Sequence, residues 1–147
     1  MANGSPPRLI EKLESWAPHI RSIVRMMTAF MFMLAGMSKL FAFPAALLPN
    51  GGTATFPTQI WFAGVLETCG GALLFVGLFT RPVAFLLSGE MAIAYFQAHF
   101  PRSFWPTVNG GVSAVLYCFI WLYISAAGPG PWSLDSWRRR RSEGGVH

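Results

Sequence analysis

Charge is scarce in this chain. Charged residues make up 12% of its 147 positions, about half of the ~25% found in an ordinary soluble domain. That deficit points away from a water-soluble globule and toward a bilayer. Cysteine is scarce too: Cys69 and Cys118 are the only two, and no C-x-x-C motif is present. By residue count both lie near mid-membrane, on spans that run in the same direction. A redox pair is therefore open to them, although a lone buried cysteine ordinarily serves as a small hydrophobe. The three histidines are His19, His99 and His147, and their scatter argues against a haem or metal site.

Long apolar runs are what the chain has instead. Four of them, at about 22–43, 60–79, 82–98 and 108–128, each approach the roughly 20 residues that cross a hydrocarbon core. They predict an all-α fold, an integral membrane four-helix bundle forming a single domain over 1–147. The competing arrangement, a soluble four-helix core, calls for polar faces, whereas these runs are apolar nearly all round. The third is the shortest, and Pro82 suits its first turn, where the missing N–H costs nothing. No cleavable signal peptide is expected, because a charged, proline-containing segment precedes the first apolar run.

Basic residues set the orientation, since Lys and Arg near membrane ends favour the cytoplasmic side. With four spans, Arg8, Lys12, Arg21, Arg25, Arg81 and the run 138–141 fall on the side of the termini, and only Lys39 and Arg102 fall opposite. Both termini are expected in the cytoplasm. The net charge of +5 then reflects topology plus a four-arginine tail suited to anionic membrane lipids, and not a folded surface for nucleic acid. Residues 1–21 read as a cytoplasmic tail, in which Leu9, Ile10, Leu13 and Trp16 recur at helical spacing. That spacing fits a short interfacial helix ending near Pro18, with a disordered tail as the alternative. Residues 129–147 read as a basic cytoplasmic tail anchored by Trp132 and Trp137.

Against this apolar background three ionisable residues stand out. Counted along the helices, Glu67 lies roughly 10 Å from the outer end of the second span, Glu90 lies near the middle of the third, and Lys39 near the outer end of the first. A mid-bilayer charge costs at least about 2.5 kcal/mol on insertion scales, so such residues normally face the bundle interior and a partner. Gly36, Gly64, Gly70 and Gly71 flank Lys39 and Glu67 at three- and four-residue spacing, which lets helix backbones approach closely. Gly89 and Ala94 bracket Glu90 in a similar way.

Lys39, Glu67, Glu90, Gln97, His99, Asn109 and Tyr117 thus gather in the outer half of the bundle. One reading is a polar pocket for a small polar or redox-active ligand, or a proton path to it; the other is an ion-pair lock that fixes helix register. Lys39 alone also has the option of snorkelling to the interface. One cation can neutralise only one of two carboxylates, so the other has to hold a proton or bind something. In the redox reading, Lys39 and Asn109 donate hydrogen bonds to a carbonyl oxygen. Glu67 or Glu90 exchanges the proton that accompanies reduction. Gln97, His99 and Tyr117 complete the ligand-binding set.

Five motifs in order, GMSKL at 36–40, ETCGGALLFVGLFTR at 67–81, MAIAYFQAHFP at 91–101, NGG at 109–111 and GPGPWSLD at 128–135, resemble the DoxX family over nearly the whole chain. Relatives commonly carry glutamate after Asn-Gly-Gly, where this chain has Val112. The resemblance implies a four-helix, multi-pass protein of the bacterial cytoplasmic (inner) membrane in a respiratory or thiol-redox setting. It also implies quinone as the cofactor to consider and a quinone-linked oxidoreductase subunit as the enzyme class. Membrane lipids and a larger redox complex are the implied partners, with a homo-oligomer open. The rival role is a non-catalytic accessory or assembly subunit of such a complex.

Overall fold

The computed structural model describes residues 8–46, 48–49 and 51–144, which form helices joined by loops, with no strand among them. The elements are α1 (Arg8–Phe41), α2 (Gln59–Val76), α3 (Thr80–Ala94), a π-helical turn (Tyr95–His99), α4 (Pro106–Asn109), α5 (Val112–Ala127) and α6 (Leu134–Glu143). Residues 1–7 and 145–147 of the two expected tails lie outside the described residues.

Local chemistry sets the boundaries. Thr58 caps α2 by accepting a hydrogen bond from the Trp61 N–H at 3.3 Å, as a threonine at that position commonly does. Gly77 ends the same helix in the left-handed region, φ +72°, and the Leu78 N–H returns to the Leu73 carbonyl at 2.9 Å. This is the hydrogen-bond pattern of a Schellman stop. The chain reverses within Gly77, Leu78 and Phe79 and enters α3, so α2 and α3 are neighbours, as the short connection required. Pro82 sits in the first turn of α3.

Two tight helix pairs, α1 with α2 and α3 with α5, join mainly through α2 against α3. The first pair is a glycine seam. A Cβ on Gly36 would lie 2.5 Å from Thr68 Oγ1 and 2.7 Å from the Gly64 carbonyl, and one on Gly71 would lie 3.0 Å from the Met33 backbone nitrogen. The expected close approach of α1 and α2 is met at Gly36, Gly64 and Gly71, whereas a Cβ on Gly70 would meet the Leu87 side chain of α3. No close approach occurs at Gly89, which faces open space. Gly36→Ala should push α1 from α2 and cost about 1–3 kcal/mol, the usual range for overpacking. A thermal unfolding scan in detergent checks this, and an unchanged midpoint would contradict the close contact.

The second pair closes over an apolar core in which Phe32 of α1 packs edge-on against Trp121 of α5 at 5.6 Å between ring centroids, with Leu74, Leu87 and Ile124 buried around them. Outside, the pattern inverts the one water favours. Phe62, Phe85 and Phe119 are 51%, 67% and 64% exposed while Glu67 is buried. Large exposed apolar area together with buried charge matches a protein whose solvent is lipid.

α1 and α2 are long and apolar enough to cross a membrane, and α5 is apolar but shorter. α3 with its π turn runs unbroken from Thr80 to His99. The expected break of α1 at Pro18 does not occur: the helix continues through it for 34 residues, about 50 Å at 1.5 Å per residue. The Pro18 carbonyl accepts from Ser22 Oγ at 3.3 Å and touches Gly130, so packing supports the helix where proline weakens it.

Candidate functional site

Lys39 occupies the last turn of α1 and Glu67 the middle of α2, and the glycine seam brings these positions together. The Lys39 ammonium donates to both Oε1 and Oε2 of Glu67. The Glu67 side chain is 4% exposed and that of Lys39 27%. The pair is not packed solid. It walls a cavity of about 170 Å³ that His99, Ser113 and Tyr117 also line, with Phe32, Met91 and Ala94 supplying apolar wall.

Each of the other predicted residues has a definite place. His99 ends the π turn, and its Nδ1 lies 3.2 Å from the Asn109 carbonyl oxygen. A π turn inserts an extra residue per turn and so re-aims the side chains beyond it, which is why such turns recur at functional sites. Tyr117 packs its ring on Phe32 at 4.9 Å. Glu90 interacts electrostatically with both Glu67 and Lys39. Both its carboxyl oxygens are buried with no hydrogen-bond partner among the described residues. It does not line the 170 Å³ cavity, but faces a groove between α2 and α3.

Two further expected ligand-binding residues, Asn109 and Gln97, do not line this cavity and bond other groups of the protein. Asn109 Oδ1 accepts the Gly111 N–H at 2.7 Å, while Nδ2 donates to the Ser103 carbonyl at 2.7 Å and to Tyr95 Oη at 3.4 Å. Its amide ties the loop between the π turn and α5, with Gly110 at φ +74° making the turn that an Asn-Gly pair favours. Gln97 is exposed and bonds the side chain of Gln59 across the mouth of the α2–α3 groove. Cys69 is exposed and Cys118 is half-buried, its Sγ 3.6 Å from Ser88 Oγ; both are free thiols.

The sequence reading missed a second polar cluster at the opposite end of the helices. Arg25 is fully buried. Its Nε donates to the Pro129 carbonyl at 2.9 Å, one terminal nitrogen to the Leu74 and Phe75 carbonyls, and the other to the Trp132 carbonyl at 2.5 Å. Asp135 accepts the Phe79 and Thr80 N–H groups at 2.9 and 2.8 Å, placing a carboxylate where the start of α3 is electropositive. Arg81 donates to the Ser125 and Ala126 carbonyls at the end of α5. Gly77 and Gly130 admit this crossing: a Cβ on either would lie 2.4 Å from Ser133 Cβ or 2.2 Å from Ser22 Oγ respectively. GLFTR and GPGPWSLD are therefore the two halves of one clasp. The readable signal was the helical spacing of Ser22, Arg25, Ala29, Phe32 and Gly36, a stripe that the fold buries and that puts Arg25 on the packing face of α1.

The DoxX family model matches residues 20–100, a stretch that contains Arg25, Lys39, Glu67, Glu90 and His99. The chain belongs to the DoxX family. An uncharacterized protein of Haemophilus influenzae (strain ATCC 51907 / DSM 11121 / KW20 / Rd) is 39% identical over 130 residues, covering 86% of this chain and 96% of its own length. No solved structure matches. Membership makes this a small membrane-associated protein, in keeping with the two candidate spans. Among the described residues no three of His, Cys, Asp and Glu are grouped so as to hold a metal ion. This DoxX protein thus offers hydrogen-bonding and ionic groups around a small cavity.

Proposed function

We propose that this DoxX protein crosses the bacterial cytoplasmic membrane four times, by α1, α2, α3 with its π turn, and α5, with both termini in the cytoplasm. The basic residues favour that orientation, because Arg21, Arg25, Arg81 and the run 138–141 lie toward one end. In its outer half, the cavity beside Lys39 and Glu67 binds a small polar or redox-active molecule, with a quinone head group as the ligand class, in a respiratory or thiol-redox setting. One observation carries this reading: a buried ion pair adjoins open space when it could have been packed over.

A cavity of about 170 Å³ is smaller than the roughly 300–1,000 Å³ that enclose a drug-sized ligand. It suits a single small ring. Lys39 supplies a donor toward a carbonyl oxygen and Glu67 a proton acceptor or donor beside it, while Glu90 faces the adjoining α2–α3 groove. Electrons come from a partner or from the bound molecule itself, since the chemistry of a quinone is its own. The accessory-subunit reading draws on the Arg25 clasp, which shows that this chain uses buried charge to fix helices.

Tryptophan fluorescence separates the two, because Trp121 stacks on the cavity residue Tyr117. Titration with a short-chain benzoquinone in detergent should give saturable quenching in the native chain, and Ser113→Leu, which fills the cavity, should weaken it about tenfold or more. Linear quenching of equal slope in both proteins would leave the accessory role standing.

A further inference from the structure

The inner cavity is too small for a long apolar chain, yet a larger space adjoins it. Between α2 and α3 runs a groove of about 580 Å³, lined by Phe62, Leu66, Phe85, Leu86 and Ile93, with Glu90 and Gly89 also on its wall. Ala94 lines both this groove and the inner cavity, so the two spaces lie back to back across one small side chain. The Gln59–Gln97 bond spans the outer end. The apolar side chains of the groove point outward and are well exposed, which in the membrane reading means toward acyl chains.

Two features make this groove more than a gap between helices. Gly89 leaves its side open, with nothing within 4 Å of a Cβ placed there. Glu90 presents a carboxyl group whose two oxygens are buried and without a partner among the described residues. A buried polar group left unmade costs about 1–3 kcal/mol or more, and a hydrogen-bonding ligand group would remove that cost. A charged head would have to shed its hydration along an apolar path, so the fitting head is uncharged.

The geometry points to the α2–α3 groove as a lateral, lipid-side binding site for a membrane amphiphile. Its apolar chain lies in the groove, and its uncharged hydrogen-bonding head passes Glu90 and Ala94 toward the Lys39–Glu67 cavity. This rests on the proposed function and adds the class of ligand, a tailed and uncharged one, and the route by which it arrives. Glu90 is assigned as a head-group contact on that route.

A long-chain alcohol carrying a diazirine in its chain, photolysed in phosphatidylcholine liposomes with the full-length protein, tests the site by peptide mapping. Labelling is expected several-fold higher at Phe62, Leu66, Phe85 and Ile93 than at Phe119, which is 64% exposed, close to Phe85 at 67%, but lies on α5. Gly89→Leu, whose Cβ would have no atom within 4 Å, should cut groove labelling about tenfold while leaving Phe119 unchanged, and Glu90→Leu should cut it more than Glu90→Gln. Equal labelling of Phe119 and the groove, or native labelling in Gly89→Leu, would overturn the site. Short-chain benzoquinone quenching in the same variants keeps the two readings apart. Undiminished quenching with no groove preference overturns the lateral site alone, and loss of saturable quenching in the native chain overturns the cavity reading as well.

Discussion

Lys39→Met is expected to destabilise the protein by about 3 kcal/mol, near the low end of the 3–5 kcal/mol typical when one partner of a buried ion pair is removed. The low end applies because Lys39 is 27% exposed, so water already reaches part of it. The loss comes from Glu67, whose side chain is 4% exposed on a face packed against α1, with no other cation paired to it among the described residues. Glu67→Leu should cost a similar amount by stranding the ammonium. Combining the two should recover most of the loss, since an apolar pair of similar volume no longer strands a charge. Unfolding by graded SDS in mixed micelles, followed by circular dichroism, measures the four corners of this cycle. Strict additivity would mean that the two side chains do not act as a pair.

Arg25→Met should cost more, about 3–5 kcal/mol. One guanidinium joins the end of α2, through Leu74 and Phe75, to the C-terminal loop, through Pro129 and Trp132. Hydrogen bonds from a charged donor contribute about 1.5–3 kcal/mol each, although they do not add fully. Arg25→Lys should recover less than half of the loss, because an ammonium presents its donors from one point and cannot fork across two segments. The same unfolding assay reads the stability, and limited proteolysis reads the clasp. Cleavage after the run 138–141 should accelerate in Arg25→Met and stay slow in Lys39→Met. Native stability in Arg25→Met would mean that the clasp is decoration on helices already held by their apolar contacts.

Much of this was legible in the residues. The apolar runs gave the helices, because in lipid the backbone must satisfy its own hydrogen bonds and sequence hydropathy tracks that demand. The glycines beside Lys39 and Glu67 gave the seam, since only their missing Cβ atoms allow the approach. The ion pair followed from cost: two buried opposite charges on facing helices have few other fates. What escaped was set by tertiary neighbours. Asn109 reads as a free amide until the loop folds back and occupies both its ends. Gln97 reads as part of the cavity until a π turn, which no local residue announces, rotates it out toward Gln59. Arg25 reads as a topological charge because its acceptors are backbone carbonyls, which every residue carries and no motif marks.

The central question is whether the space beside Lys39 and Glu67 is occupied. Native mass spectrometry of the protein extracted with its own lipids, set beside Glu67→Gln prepared in the same way, answers this. A bound small molecule of one defined mass, retained by the native chain and lost or sharply reduced in Glu67→Gln, is the result predicted. A native chain carrying only a ladder of ordinary phospholipids, identical to that of the variant, would contradict it.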